Sequence, residues 1–320
     1  MNIGVVGAGQ WGRNLVRVFH ELNSLYGVAD GVSAVQAEIR ATYPHAVVFQ
    51  SLEDMLHDPH VDAIALATPA QYHARHARLA LEAGKHVYIE KPMTLSAADA
   101  EELVQLAESS SQVVMVGHLL LYDPAIRTIK RLLREGAVGE VHSLHQERAK
   151  LGRVRAVEDV LWSFGVHDLA VMHYLLEAPA REVTVSSQAV LQPSVADDVH
   201  VHLEFPNNVK AHLHVSWLWP ENRRHLTIIG SQGAILYDEA TRTLAVKRYI
   251  VYENLETKDL GIEMIPVSDE KPLTVECQHF LTCIETGAKP ESDARQGLEV
   301  VRVLERATNL MKEGTASDGE

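Results

Sequence analysis

The chain has 320 residues, 46% of them hydrophobic, and a formal net charge of −14. That length exceeds what one hydrophobic core usually fills, so two domains are expected. The acidic balance argues against nucleic acid as a partner, and no apolar run approaches the roughly 20 residues of a membrane span.

The first predicted strand, Ile3–Val6, runs straight into Gly7-Ala8-Gly9-Gln10-Trp11-Gly12, and a helical pattern follows from Arg13 to Glu21. Strand, glycine turn and helix start together form the dinucleotide-binding fingerprint. Gly7 permits the sharp turn, Gly9 leaves room for a pyrophosphate, and Gly12 lets helix approach strand. Gln10 and Trp11 belong to the same turn. The phosphates then meet the helix N-terminus, where unpaired N–H groups and the dipole favour negative charge. Starting at residue 2, this strand leaves no space for a signal peptide.

Further apolar runs at Leu25–Ala29, Val47–Phe49, Ala63–Ala67, Val87–Ile89 and Val113–Val116 alternate with amphipathic stretches, notably Tyr72–Glu82 and Ala97–Glu108. This alternation predicts a parallel sheet covered by helices on both faces. Asp30 ends the second strand, where a carboxylate accepts both adenosine ribose hydroxyls and repels a 2′-phosphate; NAD is the cofactor expected. Thr68 and Pro69 end the fourth strand at the same carboxyl edge, with His73 nearby. Glu90-Lys91-Pro92 closes the fifth.

From Tyr122 the pattern changes. A helix over Pro124–Glu135, a strand near Val141–Glu147 and a helix around His167–Leu176 lead into successive strands. These lie near Val183–Val190, Val199–Phe205, Val209–Trp217, His225–Ile229, Ala234–Tyr237 and Thr243–Tyr249. Strands without intervening helices predict a mostly antiparallel open sheet and an α+β domain. The expected division is residues 1–121 for the Rossmann domain and 122–320 for the substrate-binding and oligomerisation domain. Helices over Pro272–Thr286 and Ala294–Lys312 close the chain, and the polar stretch 313–320 is expected to be disordered. Cys277 and Cys283 point to different faces of their helix, which predicts no disulfide and suits a reducing cytoplasm.

One hairpin can be registered from its residues. A three-residue turn at Pro206-Asn207-Asn208 sets His202 opposite His212, His200 opposite His214 and Glu204 opposite Lys210; a two-residue turn mixes the faces. Four histidines then share one face. They read as a polar outer face or a subunit interface, because no neighbour in sequence supplies a second shell, and no metal is expected.

The tripeptide Glu90-Lys91-Pro92 after a fingerprint fold resembles the glucose–fructose oxidoreductase, inositol dehydrogenase and MocA (Gfo/Idh/MocA) family. Gly7–Gly12, Thr68-Pro69 with His73, Gly117 with Tyr122 and Pro124, Gly136-x-x-Gly139 and His167-Asp168 extend the resemblance over nearly the whole chain. It implies hydride transfer between a nicotinamide and a sugar or cyclitol hydroxyl. By motif match, Lys91 contacts cofactor and substrate, Glu90 binds the nicotinamide-side ribose, and His167 is the histidine of the family's D-x-x-x-H motif. Ser163 stands where that motif has aspartate, so acid–base duty falls on Lys91 and His167, with Asp168 orienting the substrate. A base for this step needs a pKa near working pH, and losing the aspartate at position 163 helps keep Lys91 neutral.

The run Gly9–Arg17, Gly117-His118 with Tyr122, and the segment from Trp162 to His167-Asp168 resemble a narrower branch, the UDP-N-acetylglucosamine 3-dehydrogenases. That likeness implies a 3-keto sugar nucleotide passed to a partner aminotransferase for lipid A or another surface glycan. On it, Trp162 joins the cofactor site, and His118, Tyr122, Arg148, Arg153, Asp168 and Arg223 join the substrate site, the arginines serving a diphosphate. The alternatives are a dehydrogenase of free inositol or a simple sugar, and a non-catalytic NAD-binding regulator. The uncovered sheet face suits a homodimer or homotetramer.

Overall fold

The computed structural model describes residues 1–152 and 154–317. These fall into two compact units, Met1–Tyr122 with Lys271–Val301, and Asp123–Glu270 with residues from Arg302 onward. The first unit thus takes in residues 271–301, from the far side of the second unit in sequence.

The first unit holds six parallel strands, β1 (Ile3–Val6), β2 (Leu25–Ala29), β3 (Val47–Phe49), β4 (Ala63–Leu66), β5 (His86–Glu90) and β6 (Val114–Gly117), in the order 3-2-1-4-5-6. This is the dinucleotide-binding order, with its switch point between β1 and β4. Connecting them are α1 (Gly12–Glu21), α2 (Ser33–Thr42), α3 (Leu52–Leu56), α4 (His73–Glu82) and α5 (Ala97–Ser109). In α1 the stripe Leu15, Val16, Val18 and Phe19 is buried, as helical spacing requires. Ser51 and Ser96 cap α3 and α5 by accepting from the N–H groups of Asp54 and Asp99.

The second unit begins with α6 (Pro124–Arg134), started by proline in its first turn and by Asp123, whose carboxylate accepts from the Ala125 N–H at 2.8 Å. Next come β7 (Val141–Ala149), a π turn over Leu161–Gly165, α7 (Val166–Leu176), β8 (Glu182–Gln188), β9 (Asp198–Glu204) and β10 (Lys210–Ser216). After these lie β11 (Arg223–Gly230), β12 (Gly233–Asp238), β13 (Thr243–Val251) and β14 (Thr257–Ile265). They form an eight-stranded sheet in the order 14-13-12-11-7-10-9-8, antiparallel except where β10 meets β7. The β9–β10 register matches the expected pairing, His202 with His212, His200 with His214 and Glu204 with Lys210. The inward residues Val199, Val201, Leu203, Ala211, Leu213, Val215 and Trp217 are all buried, and their neighbours in alternation face outward.

Helices α8 (Pro272–Thr286) and α9 (Ala294–Ser317) end the described chain. Residues 313–317, expected to be disordered, continue α9; residues 318–320 lie outside the described residues. Among the described residues, no helix is long and apolar enough to cross a membrane.

Candidate cofactor-binding and active site

In the first unit the carboxyl ends of β1, β2, β4, β5 and β6 bring the expected cofactor residues to one edge. Gly7 has φ +86°, and a Cβ on Gly12 would stand 1.9 Å from the Gly7 carbonyl oxygen, so both positions need glycine. Nothing lies within 4 Å of where a Cβ on Gly9 would stand. That open position beside the N-terminus of α1 is the cradle a pyrophosphate requires. Gln10 and Trp11 are exposed on the same turn.

Asp30 fastens the turn to the end of β2. Its Oδ2 accepts from the Ala8 N–H at 2.7 Å and its Oδ1 from the Val32 N–H at 2.8 Å. Each oxygen keeps a lone pair, enough for two ribose hydroxyls. The residues present therefore fit a nicotinamide dinucleotide, with Gly7–Gly12 at the diphosphate and Asp30 at the adenosine ribose.

Two long-range ties fix the other loops. His73 is buried, with Nδ1 2.8 Å from the Pro92 carbonyl and Nε2 2.8 Å from the Thr68 carbonyl. It clamps the Thr68-Pro69 turn to the Glu90-Lys91-Pro92 loop. Two acceptors invite a doubly protonated ring, yet burial holds its pKa below the ordinary value. The second tie runs from Trp11, whose indole N–H donates to Glu90 Oε1 at 2.5 Å. The Tyr88 hydroxyl donates to the same oxygen at 3.2 Å, and the Lys91 N–H donates to Oε2 at 3.2 Å. Burial nonetheless pushes the Glu90 carboxyl up to about 7. Lys91 is half-buried at this strand end, and the Lys91–Pro92 peptide is cis.

Beneath Glu90 lies a group absent from the sequence reading. Glu276, on α8, is fully buried and faces Tyr88; burial first, then the nearby Glu90 charge, raises its pKa well above the ordinary range. Tyr88 was legible in principle, being two residues before Glu90 and so on the same sheet face. Glu276 was legible only as an acid on the buried stripe of Cys277, Phe280 and Leu281.

Two residues expected at the substrate are part of the scaffold at this edge. Tyr122 is fully buried, its hydroxyl 2.8 Å from Ser292 Oγ. His118 is buried directly after β6, 1% exposed.

The second unit carries the remaining candidates. His167, half-buried, occupies the first turn of α7, immediately after the π turn that holds Ser163 and Trp162. Trp162 gives its indole N–H to Thr308 Oγ1 at 2.9 Å, so that donor is engaged within the second unit rather than offered to a cofactor. Asp168 is 0% exposed and accepts from Gln146 at 2.6 Å and from Arg148 Nε at 2.8 Å. The rest of the Arg148 guanidinium goes to Glu239 at 2.7 Å, and Arg224 joins Glu239 at 2.6 Å. Arg148 and Asp168 are therefore corrected from substrate contacts to a buried ionic network. The alternation Leu144, Gln146, Arg148 on β7 held that signal.

Arg223 is also corrected. It lies on the outer sheet face with Glu147 and Glu221, its guanidinium 4.7 Å from the Trp219 ring. Arg153 lies outside the described residues.

Comparison with known proteins agrees with this architecture. Residues 1–118 match the family model described as oxidoreductase family, NAD-binding Rossmann fold, and residues 126–236 match the GFO/IDH/MocA C-terminal domain. A UDP-N-acetylglucosamine 3-dehydrogenase of Acidithiobacillus ferrooxidans is 27% identical over 285 residues, 89% of this chain and 88% of that protein. Its solved structure superposes with a TM-score of 0.86 over 97% of each chain, at 26% identity. The NADP-dependent scyllo-inositol 2-dehydrogenase of Bacillus subtilis is 24% identical over 98% of this chain and 94% of its own.

Proposed function

This chain belongs to the Gfo/Idh/MocA oxidoreductase family, and from that premise we propose that it oxidises the 3-hydroxyl of a UDP-N-acetylhexosamine, UDP-N-acetylglucosamine in the first instance. The family reading itself carries the coarser statement: the chain is an NAD-binding oxidoreductase acting on a sugar hydroxyl. The observation that supports the finer one is the likeness, along 97% of both chains, to a UDP-N-acetylglucosamine 3-dehydrogenase.

A bound nicotinamide would supply the acceptor for a hydride from the carbinol carbon. The chain's own residues must hold the cofactor and remove the hydroxyl proton. Asp30, already fixed by two N–H groups, orients the adenosine ribose; its charge at that position favours NAD over a 2′-phosphorylated cofactor. Glu90, held by Trp11 and Tyr88, orients the nicotinamide-side ribose. Lys91 takes the hydroxyl proton, and His167 is the second acid–base group. Two buried, unpaired cysteines support a reducing, cytoplasmic setting. A homodimer or homotetramer, and transfer of the 3-keto product to an aminotransferase for lipid A or another surface glycan, complete the proposal.

A second reading, oxidation of free inositol or a simple sugar, is favoured by one observation: the internal pairing of Arg148 leaves fewer cations for a diphosphate. The two separate in one assay. The protein is incubated with NAD and either UDP-N-acetylglucosamine or inositol, and reduced nicotinamide is followed by absorbance. An aminotransferase with an amino donor is coupled in to draw off a disfavoured 3-keto product. Reduction with the sugar nucleotide supports the first reading; reduction with inositol alone replaces it.

A further inference from the structure

The outer face of the eight-stranded sheet carries two rows of side chains set by the strand register. One row reads Ser186, His200, His214, Glu147, His225 and Asp238 across β8, β9, β10, β7, β11 and β12. The next reads Thr184, His202, His212, His145 and Thr227. Between them six histidines line an open depression of about 390 Å³.

The second row satisfies itself. His202 Nδ1 and His212 Nδ1 are 2.7 Å apart, so one donates to the other, and His145 stacks on His212. The first row does not. His214 lies between two carboxylates, with Nδ1 3.4 Å from Glu147 Oε1 and Nε2 3.2 Å from Asp198 Oδ2. A neutral imidazole has one N–H, so one of these carboxylates faces a nitrogen lone pair. Protonating the ring removes that conflict but sets a cation 4.0 Å from the parallel ring of His200, which shares Asp198 through Nε2 at 3.7 Å. A metal cation at the Nε2 end resolves both.

We propose that Asp198, His200 and His214 bind one divalent transition-metal ion, zinc being the reference case, with Glu147 as the carboxylate that orients His214 through Nδ1. One donor atom from each of the three already lies within 4.8 Å of the others. Tetrahedral zinc at about 2.0–2.1 Å from nitrogen and oxygen needs donors about 3.4 Å apart. The Asp198–His214 edge already has that span, and His200, exposed at the surface, has room to swing inward. Two imidazoles and a carboxylate leave a position for water and suit zinc, copper or nickel over magnesium or calcium. The Glu147–His214 pair supplies the outer contact that hairpin patterning alone did not reveal, because Glu147 arrives from a strand more than fifty residues upstream in the chain.

The test uses the full-length chain stripped with a chelator, titrated with Zn2+ by calorimetry and with Co2+ by visible absorption. The expected result is one equivalent per chain and a ligand-field band for Co2+. His214→Gln, His200→Gln and Asp198→Asn each weaken Zn2+ at least tenfold, Glu147→Gln weakens it about tenfold, and His212→Gln leaves it unchanged. Circular dichroism in chelator checks that each variant is folded. Absence of saturable Zn2+ binding, binding indifferent to His214 and Asp198, or loss on His212→Gln instead would overturn the assignment.

Discussion

Trp11 donates its indole N–H to Glu90 Oε1 at 2.5 Å, joining the glycine turn after β1 to the strand end that carries Lys91. With the carboxyl protonated below about pH 7 the bond is of the ordinary class, about 0.5–1.5 kcal/mol, and it strengthens to about 1.5–3 kcal/mol once Glu90 ionises. Trp11→Phe keeps a ring and removes the donor. NAD affinity, measured by calorimetry, is expected to fall about tenfold; an unchanged dissociation constant would show that the tie does not preorganise the cofactor edge.

The raised carboxyls give stability a definite pH dependence. Glu90 titrates near 7 in the folded chain against an ordinary 4.5, so between those values the native state holds a proton that the unfolded chain has released. Stability therefore falls as pH rises through that window, and above it this group adds no further loss. Glu90→Gln should flatten the decline, by at most on the order of 3 kcal/mol. Glu276, raised well beyond its ordinary range, continues the fall at higher pH, and Glu276→Gln removes that limb. Denaturant unfolding across the range reads both; a wild-type curve parallel to both variants rejects the account.

His73→Ala leaves the Pro92 and Thr68 carbonyls without their imidazole partner. A neutral imidazole carries one N–H and so serves one of these carbonyls at a time, and losing that bond costs about 1–3 kcal/mol. The variant is expected to unfold at lower denaturant and to bind NAD more weakly, because both loops at the cofactor edge lose their clamp. Arg75→Ala, exposed on the same helix, is the control expected to change little.

Arg148→Met separates scaffold from substrate contact. It strands the buried Asp168 carboxylate, while Glu239 keeps Arg224, with an expected loss of about 3–5 kcal/mol in stability. The double variant Arg148→Met/Asp168→Leu should recover part of that loss. A variant with unaltered melting and only a raised KM would restore Arg148 to the substrate site.

Single-turnover hydride transfer assigns the base. With Lys91 in that role, Lys91→Met lowers the rate by roughly 100- to 10,000-fold and flattens its pH profile. His167→Gln lowers the rate but keeps the profile. The reverse ordering gives the duty to His167.

What was legible in the sequence was local. Gly7, Gly9 and Gly12 declare their turn through spacing, Asp30 and Glu90-Lys91-Pro92 declare theirs by ending strands, and the β9–β10 register follows from alternation about Pro206-Asn207-Asn208. What was hidden depends on distant partners. Arg148 reads as a surface cation until Asp168 and Glu239 are brought to it, and Tyr122 as a ligand until Ser292 is. Strand β14 escaped notice because it is an edge strand, exposed along nearly its whole length, without the buried alternate residues that mark a strand. Helix α2 escaped for a similar reason, burying only Gln36 and Ile39.

The return of residues 271–301 to the first unit bears on the order of synthesis. The Val116 N–H donates to the Ser292 carbonyl at 2.7 Å, Tyr122 reaches Ser292, and Phe280 packs against Tyr88. A ribosome that has delivered only the first 122 residues has therefore not yet supplied the segment that covers one flank of the nucleotide fold. That half must wait, while the whole intervening sheet is translated, for the helix that seals it.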